Sequence, residues 1–140
     1  MNKKVLVSHI FLINTLLYAI YIFIVSTSPT APGAETGRDI TSYFSFIAHY
    51  VLYFGFSYFV FVTYKEFEKY SWNPFLSTVV SVSIYGLIIE VFQYYIPYRH
   101  FSLIDGLINL LGAISFVLIA YLLKKLPENK VVEFFYLNHI

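Results

Sequence analysis

Four long apolar runs, separated by short stretches of Pro, Gly, Ser and charge, set the layout of this chain. Val5 to Val25 comes first, behind Lys3 and Lys4. Ser42 to Tyr64 is the second, Phe75 to Ile96 the third and Leu103 to Leu123 the fourth. A helix needs about 20 apolar residues to cross about 30 Å of hydrocarbon, and each run has that length. None shows the two-residue alternation of a barrel strand. A chain in lipid must satisfy its backbone within helices or a closed barrel. The pattern therefore predicts an all-α protein, a four-helix transmembrane bundle, as a single membrane domain over residues 1–140. The helices are expected at about 5–25, 42–64, 75–96 and 103–123.

The breaks between the runs have physical causes. A first run this long, followed by Ala31-Pro32-Gly33-Ala34, is a poor match to a cleaved signal peptide and reads as a retained helix, with Asn14 and Thr15 towards other helices. Residues 26–41 form the one long loop, rich in the Ser, Thr, Pro and Gly that set turns. Lys65-Glu66-Phe67-Glu68-Lys69 makes a charged connection, and Tyr70 and Trp72 suit interface anchors. Pro97 closes the third run, because proline lacks a donor and disfavours helix in the residue before it. After Lys124, Lys125 and Pro127 the tail, residues 128–140, is too short to span and reads as an amphiphilic segment on the bilayer surface.

Composition sharpens this picture. Hydrophobic residues make up 59% and charged ones 12%, against about 25% charged in soluble domains. The 14 Tyr and 15 Phe suit interface belts and ring packing. Cysteine is absent, so thiolate chemistry is excluded, and no basic patch interleaved with aromatics points to nucleic acid. The net charge of +1 decides little, but its placement does. One side of the membrane holds Lys3, Lys4, Lys65, Lys69, Lys124, Lys125 and Lys130; the other holds Arg38 and Arg99. Positive charge stays inside, so both the N-terminus and the C-terminus are expected to be cytoplasmic, in a multi-pass protein of the cell membrane.

The polar residues at membrane depth cluster between Glu90 and Gly112. Ionisable groups in hydrocarbon cost several kcal/mol unless paired and mark functional sites. At about 1.5 Å rise per residue, His49 lies about 10 Å below the start of its helix, and Glu90 and Asn109 about 9 Å below the adjoining ends of theirs. The three are expected in one layer, with Tyr53 beside His49. Glu90 and Gln93 share one helix face; Asp105 and Asn109 share another. Arg99 and His100 would cap this pocket, and the Arg99 guanidinium suits either Asp105 or an anionic ligand group. Gly55, Gly106, Gly112 and Ala113 read as small contact residues for helix packing. A metal site built from His49, Glu90, Asp105 and His100 lacks any ligand spacing, so no metal and no cofactor is expected.

Glu90-x-x-Gln93-x-x-x-Pro97-x-Arg99-x-x-Ser102-x-x-Asp105-x-x-x-Asn109-x-x-Gly112-Ala113 resembles the signature of the VanZ-like family of small integral membrane proteins. His49-x-x-x-Tyr53 with Gly55 is similar to that family's second-helix motif, and Ser26-x-Ser28-Pro29 to the end of its first helix. The sequence departs from the family in two places. Ser45 and Phe46 stand where many members carry an acidic-basic pair, and Phe116 lies where many carry a glycine, which predicts looser helix contacts there. The resemblance implies a protein acting at the cell envelope; the family's namesake is associated with resistance to the glycopeptide teicoplanin. It supplies no reaction.

Three functions remain open on the sequence. In the first, an outward-facing pocket of His49, Tyr53, Glu90, Gln93, Arg99, Asp105 and Asn109 binds a membrane lipid or the head group of a lipid-linked envelope precursor. In the second, an intramembrane transferase or hydrolase uses Glu90 or His49 as general base. In the third, the protein is structural, with a homo-oligomer or another membrane protein as partner. Proton-coupled drug export needs a carboxylate near the midplane, and Glu90 lies near one face. No Glu90-dependent cation efflux is therefore expected in proteoliposomes under a pH gradient.

Overall fold

The computed structural model describes residues 3–29, 40–67 and 73–125. It contains four helices: α1 Lys3–Thr27, α2 Ile40–Glu66, α3 Pro74–Tyr94 and α4 Leu103–Lys124. All four are long and apolar enough to cross a membrane. The anticipated anchors Tyr70 and Trp72, residues 30–39 and the surface tail lie outside the described residues.

Helix ends follow local chemistry. Asn73 caps α3, its side chain accepting from Phe75 N at 3.0 Å, with Pro74 in the first turn, where its missing N–H costs nothing. The structure ends α3 at Tyr94, two residues before the expected Ile96. Tight bonds from Tyr95 N to Phe92 O (3.1 Å) and Ile96 N to Gln93 O (3.0 Å) close that last turn. In contrast, α2 runs two residues further than expected, because Lys65 and Glu66 continue the helix beyond the apolar run.

Helix α2 is the centre of the bundle. It has the lowest mean hydropathy of the four, 1.5 against 2.0 to 2.2, and the largest buried share. It packs most extensively on α4 and also on α1 and α3, whereas α1 lies outermost. Gly112 makes the α2–α4 approach possible: a Cβ there would lie 2.7 Å from the carbonyl oxygen of Tyr50. Gly55 instead makes room for a side chain of α1, since a Cβ there would meet the Tyr18 hydroxyl at 2.6 Å. Thr15 reaches from α1 to Phe59 O (3.1 Å) and Thr63 Oγ1 (2.8 Å) on α2, the inward role expected of it. Tyr85 ties α3 to Ala19 O of α1 at 2.6 Å.

Two packing expectations are corrected. The contacts around Phe116 are not loose: its ring is buried and lies 5.6 Å from Phe54 and 5.7 Å from Phe61, both edge-on. An aromatic side chain fills the volume that a glycine would close by backbone approach. Gly106 is no packing residue either, since a Cβ there would meet nothing within 4 Å.

The surface is inverted relative to a water-soluble bundle. Leu17, Ile24, Leu87, Leu103 and Leu107 are exposed while Glu90, Gln93 and Asn109 are buried. Lipid tails solvate the first set without cost, and only neighbouring helices can satisfy the second. Which side each terminus occupies rests on the lysine count. Reporter fusions after Lys69 and after the C-terminus are expected to read cytoplasmic, and one within residues 26–41 to read outside.

Candidate functional site

The site lies at the bundle end that carries the α3–α4 turn. Helix α1 stops there with its last carbonyls unpaired along its own axis, as every helix does. The last turn of α3 and the α3–α4 turn supply the missing donors. Gln93 Nε2 donates to Ser26 O at 2.8 Å, Tyr98 Oη to Thr27 O at 3.0 Å and an Arg99 Nη to Ser28 O at 3.3 Å. A guanidinium suits the negative end of a helix dipole, and α1 has no basic residue of its own in its last turn. The first-helix ending and the turn, 71 residues apart between Ser28 and Arg99, thus form one structure. Burial lowers the Arg99 pKa from its ordinary value, and the nearby carboxyls of Asp105 and Glu90 oppose that shift.

Ser102 starts α4 as its N-cap, with Oγ accepting from Asp105 N at 3.2 Å. In a capping box the acid three residues on would return a bond to the N-cap N–H. Here Glu90 takes that bond from the preceding helix: Ser102 N donates to Glu90 Oε2 at 3.0 Å. Oε1 of the same carboxyl is buried without a hydrogen-bond partner. The substitution leaves the Asp105 carboxylate available to α2, and its Oδ2 lies 4.0 Å from His49 Nε2.

His49 is held from its other side. Its Nδ1 lies 3.0 Å from Asn109 Oδ1; with that oxygen as acceptor, Nδ1 carries the hydrogen and Nε2 faces Asp105. Tyr53 stacks one turn below, with ring centroids 6.5 Å apart. Gly86 makes room for both neighbours, since a Cβ there would lie 3.1 Å from the Tyr53 ring and 3.3 Å from Asn109 Nδ2. The Tyr53 hydroxyl and Asn109 Nδ2 are, like Glu90 Oε1, buried without a hydrogen-bond partner. Most buried polar atoms in folded proteins are bonded, which sets these three apart.

Of the residues singled out in the sequence, six are almost wholly shielded: Tyr53 and Glu90 are 0% exposed, Asn109 1%, Gln93 3%, Arg99 7% and His49 8%. Asp105 is half-buried, and His100 is exposed rather than capping the cluster. Of the three residues that the depth count places in one layer, His49 and Asn109 meet directly, with Asp105 beside His49, while Glu90 bonds to Ser102 N. Gln93 does not turn towards this group but ties α3 to α1. Sequence reasoning missed Ser102, although Ser-x-x-Asp before an apolar run is the sequence mark of an N-cap. It also missed Ser83, which with Glu90, Ser102 and Gly106 borders a cleft of about 200 Å³ between α3 and α4. Among the described residues no group of three or more His, Cys, Asp or Glu could hold a metal ion.

A model of the VanZ/LLP1 family matches residues 9–124, a span that takes in all four helices. No curated protein and no solved structure matches the chain.

Proposed function

We propose that this chain, which belongs to the VanZ/LLP1 family, binds the polar end of a membrane lipid or lipid-linked precursor at the outer face of the cell envelope. The observation that carries the reading is the cluster of buried, unpartnered polar atoms on Tyr53, Glu90 and Asn109 at one end of a bundle with apolar outer walls. Membrane burial supplies the apolar part of a lipid's affinity, so the protein need recognise only the polar end. Glu90 and Asn109 offer an acceptor and a donor. Arg99 contributes positive charge at the turn for an anionic group, beside its bond to Ser28.

A second reading, an intramembrane transferase or hydrolase, draws on His49. Asn109 holds its Nδ1 and Nε2 lies 4.0 Å from Asp105, so the ring is oriented as a general base must be. Substitution of Glu90 by Gln separates the two readings for that residue, because Gln keeps the shape and hydrogen bonds but accepts no proton. In a surface-phenotype assay of cells expressing each variant, Glu90→Gln is expected to retain most of the effect of the unmodified protein and Arg99→Ala to lose most of it. Loss of the effect in a folded Glu90→Gln protein that still binds lipid would decide for the enzyme.

A further inference from the structure

The cleft between α3 and α4 borders both the hydrocarbon and the polar cluster. Leu87 and Leu107 form its walls and are more than half exposed on the lipid side. Gly106 leaves its flank open. Ser83 lies at its deep end and Glu90 with Ser102 at its turn end, about 10 Å apart at helical rise. Both polar ends hold an atom that is buried and unbonded, Ser83 Oγ and Glu90 Oε1.

Chemistry narrows what can satisfy Glu90 Oε1. If the carboxyl is ionised, it wants a donor; if it is protonated on Oε1, it wants an acceptor. A hydroxyl meets either state, and a neutral group costs less than a charge to carry below the interface. An ester carbonyl meets only the protonated form, and a phosphate is repelled by the ionised one. At about 200 Å³ the cleft is smaller than the roughly 300–1,000 Å³ of drug-sized sites, so it takes one chain end and not a whole head group. We infer that it admits, sideways from the bilayer, a lipid bearing a free hydroxyl, with the hydroxyl at Glu90 and the adjoining hydrocarbon between Leu87 and Leu107. Diacylglycerol and a free polyprenol share this chemistry. The inference rests on the lipid-binding reading above and names the lipid's class.

The test uses the full chain in phosphatidylcholine nanodiscs carrying one trace photoreactive lipid at a time: a diacylglycerol, a polyprenol, their O-acetyl counterparts, or a polyprenyl phosphate. Covalent labelling is read by mass spectrometry. Labelling is done at alkaline pH, where the carboxyl is ionised and an acetyl carbonyl finds no donor, so one hydrogen bond sets the scale and a hydroxyl probe should label about tenfold more than its acetyl counterpart, with adducts on α3 and α4. The stronger of the two hydroxyl probes identifies the source. Gly106→Leu, whose Cβ would meet nothing within 4 Å, puts its side chain into the cleft and should remove most of the labelling. Glu90→Gln must keep its oxygen on Ser102 N and so turns its NH₂ to the cleft. That group donates to hydroxyl and acetyl alike, and the ratio should fall to about one. Equal labelling by hydroxyl and acetyl probes in the unmodified protein, or undiminished labelling in Gly106→Leu, overturns the inference. Capture of the polyprenyl phosphate alone, lost in Arg99→Ala, overturns it while sparing the head-group reading; no capture of any probe overturns both.

Discussion

Gly112→Leu is expected to lower the stability of the bundle by about 3 kcal/mol, the upper end of what overpacking a close-packed interior costs. The added Cβ would sit 2.7 Å from Tyr50 O and 3.1 Å from Phe54 N. Both are backbone atoms of α2 and cannot swing aside, so the two helices must separate along the most extensive interface among the described helices. In a membrane that interface is held by close packing and not by expulsion of water, and separation forfeits its main source of strength. Six residues earlier on the same helix, Gly106 has open space around it. Gly106→Leu should stay within about 1 kcal/mol of the unmodified protein, the range of helix propensity. Unfolding of both variants in detergent micelles, followed by loss of helical circular dichroism, checks the pair. Equal stability of the two would contradict the assigned α2–α4 approach.

The second large effect concerns the His49–Asn109 bond. A polar pair between membrane helices contributes only about 0.6 kcal/mol on average, yet deleting one member strands the other in a buried place, at about 1–3 kcal/mol. Asn109→Leu keeps the shape of the side chain and removes the acceptor 3.0 Å from His49 Nδ1. A loss of about 2 kcal/mol is expected. Adding His49→Leu removes the stranded donor, so the double variant should recover part of that loss. If the double variant were instead less stable by the sum of the two single losses, the bond would not be the source of the effect.

Much of this was legible because helical rise and helix breakers act locally. Pro97 and Lys124 mark helix ends whatever they pack against, and the ends fell within two residues of expectation. The convergence of His49 with Asn109 followed from counting residues down two independent helices. What the count could not reach were partners chosen in three dimensions. Asp105 faces His49, as well as acting on Arg99, only because Glu90 has taken the Ser102 N–H. No spacing within α4 reveals a cap bond that comes from α3. Small size likewise does not say which way a residue faces: Gly112 meets α2 while Gly106 opens on the cleft. The reading of Phe116 failed for a related reason, since a glycine-sized gap and a ring-filled one can be equally tight.

Central to the proposed function is that the buried cluster around Glu90 holds the polar end of a lipid. Polymer-bounded membrane discs containing the full chain retain the lipids around it. Comparing their lipid composition by mass spectrometry between the unmodified protein and Glu90→Leu tests the claim directly. Leu fills the same volume and leaves neither acceptor nor donor at Oε1. The account predicts at least one lipid species enriched over the bulk membrane with the unmodified protein, falling to the bulk proportion in a folded Glu90→Leu variant. An identical lipid profile for the two folded proteins would contradict it.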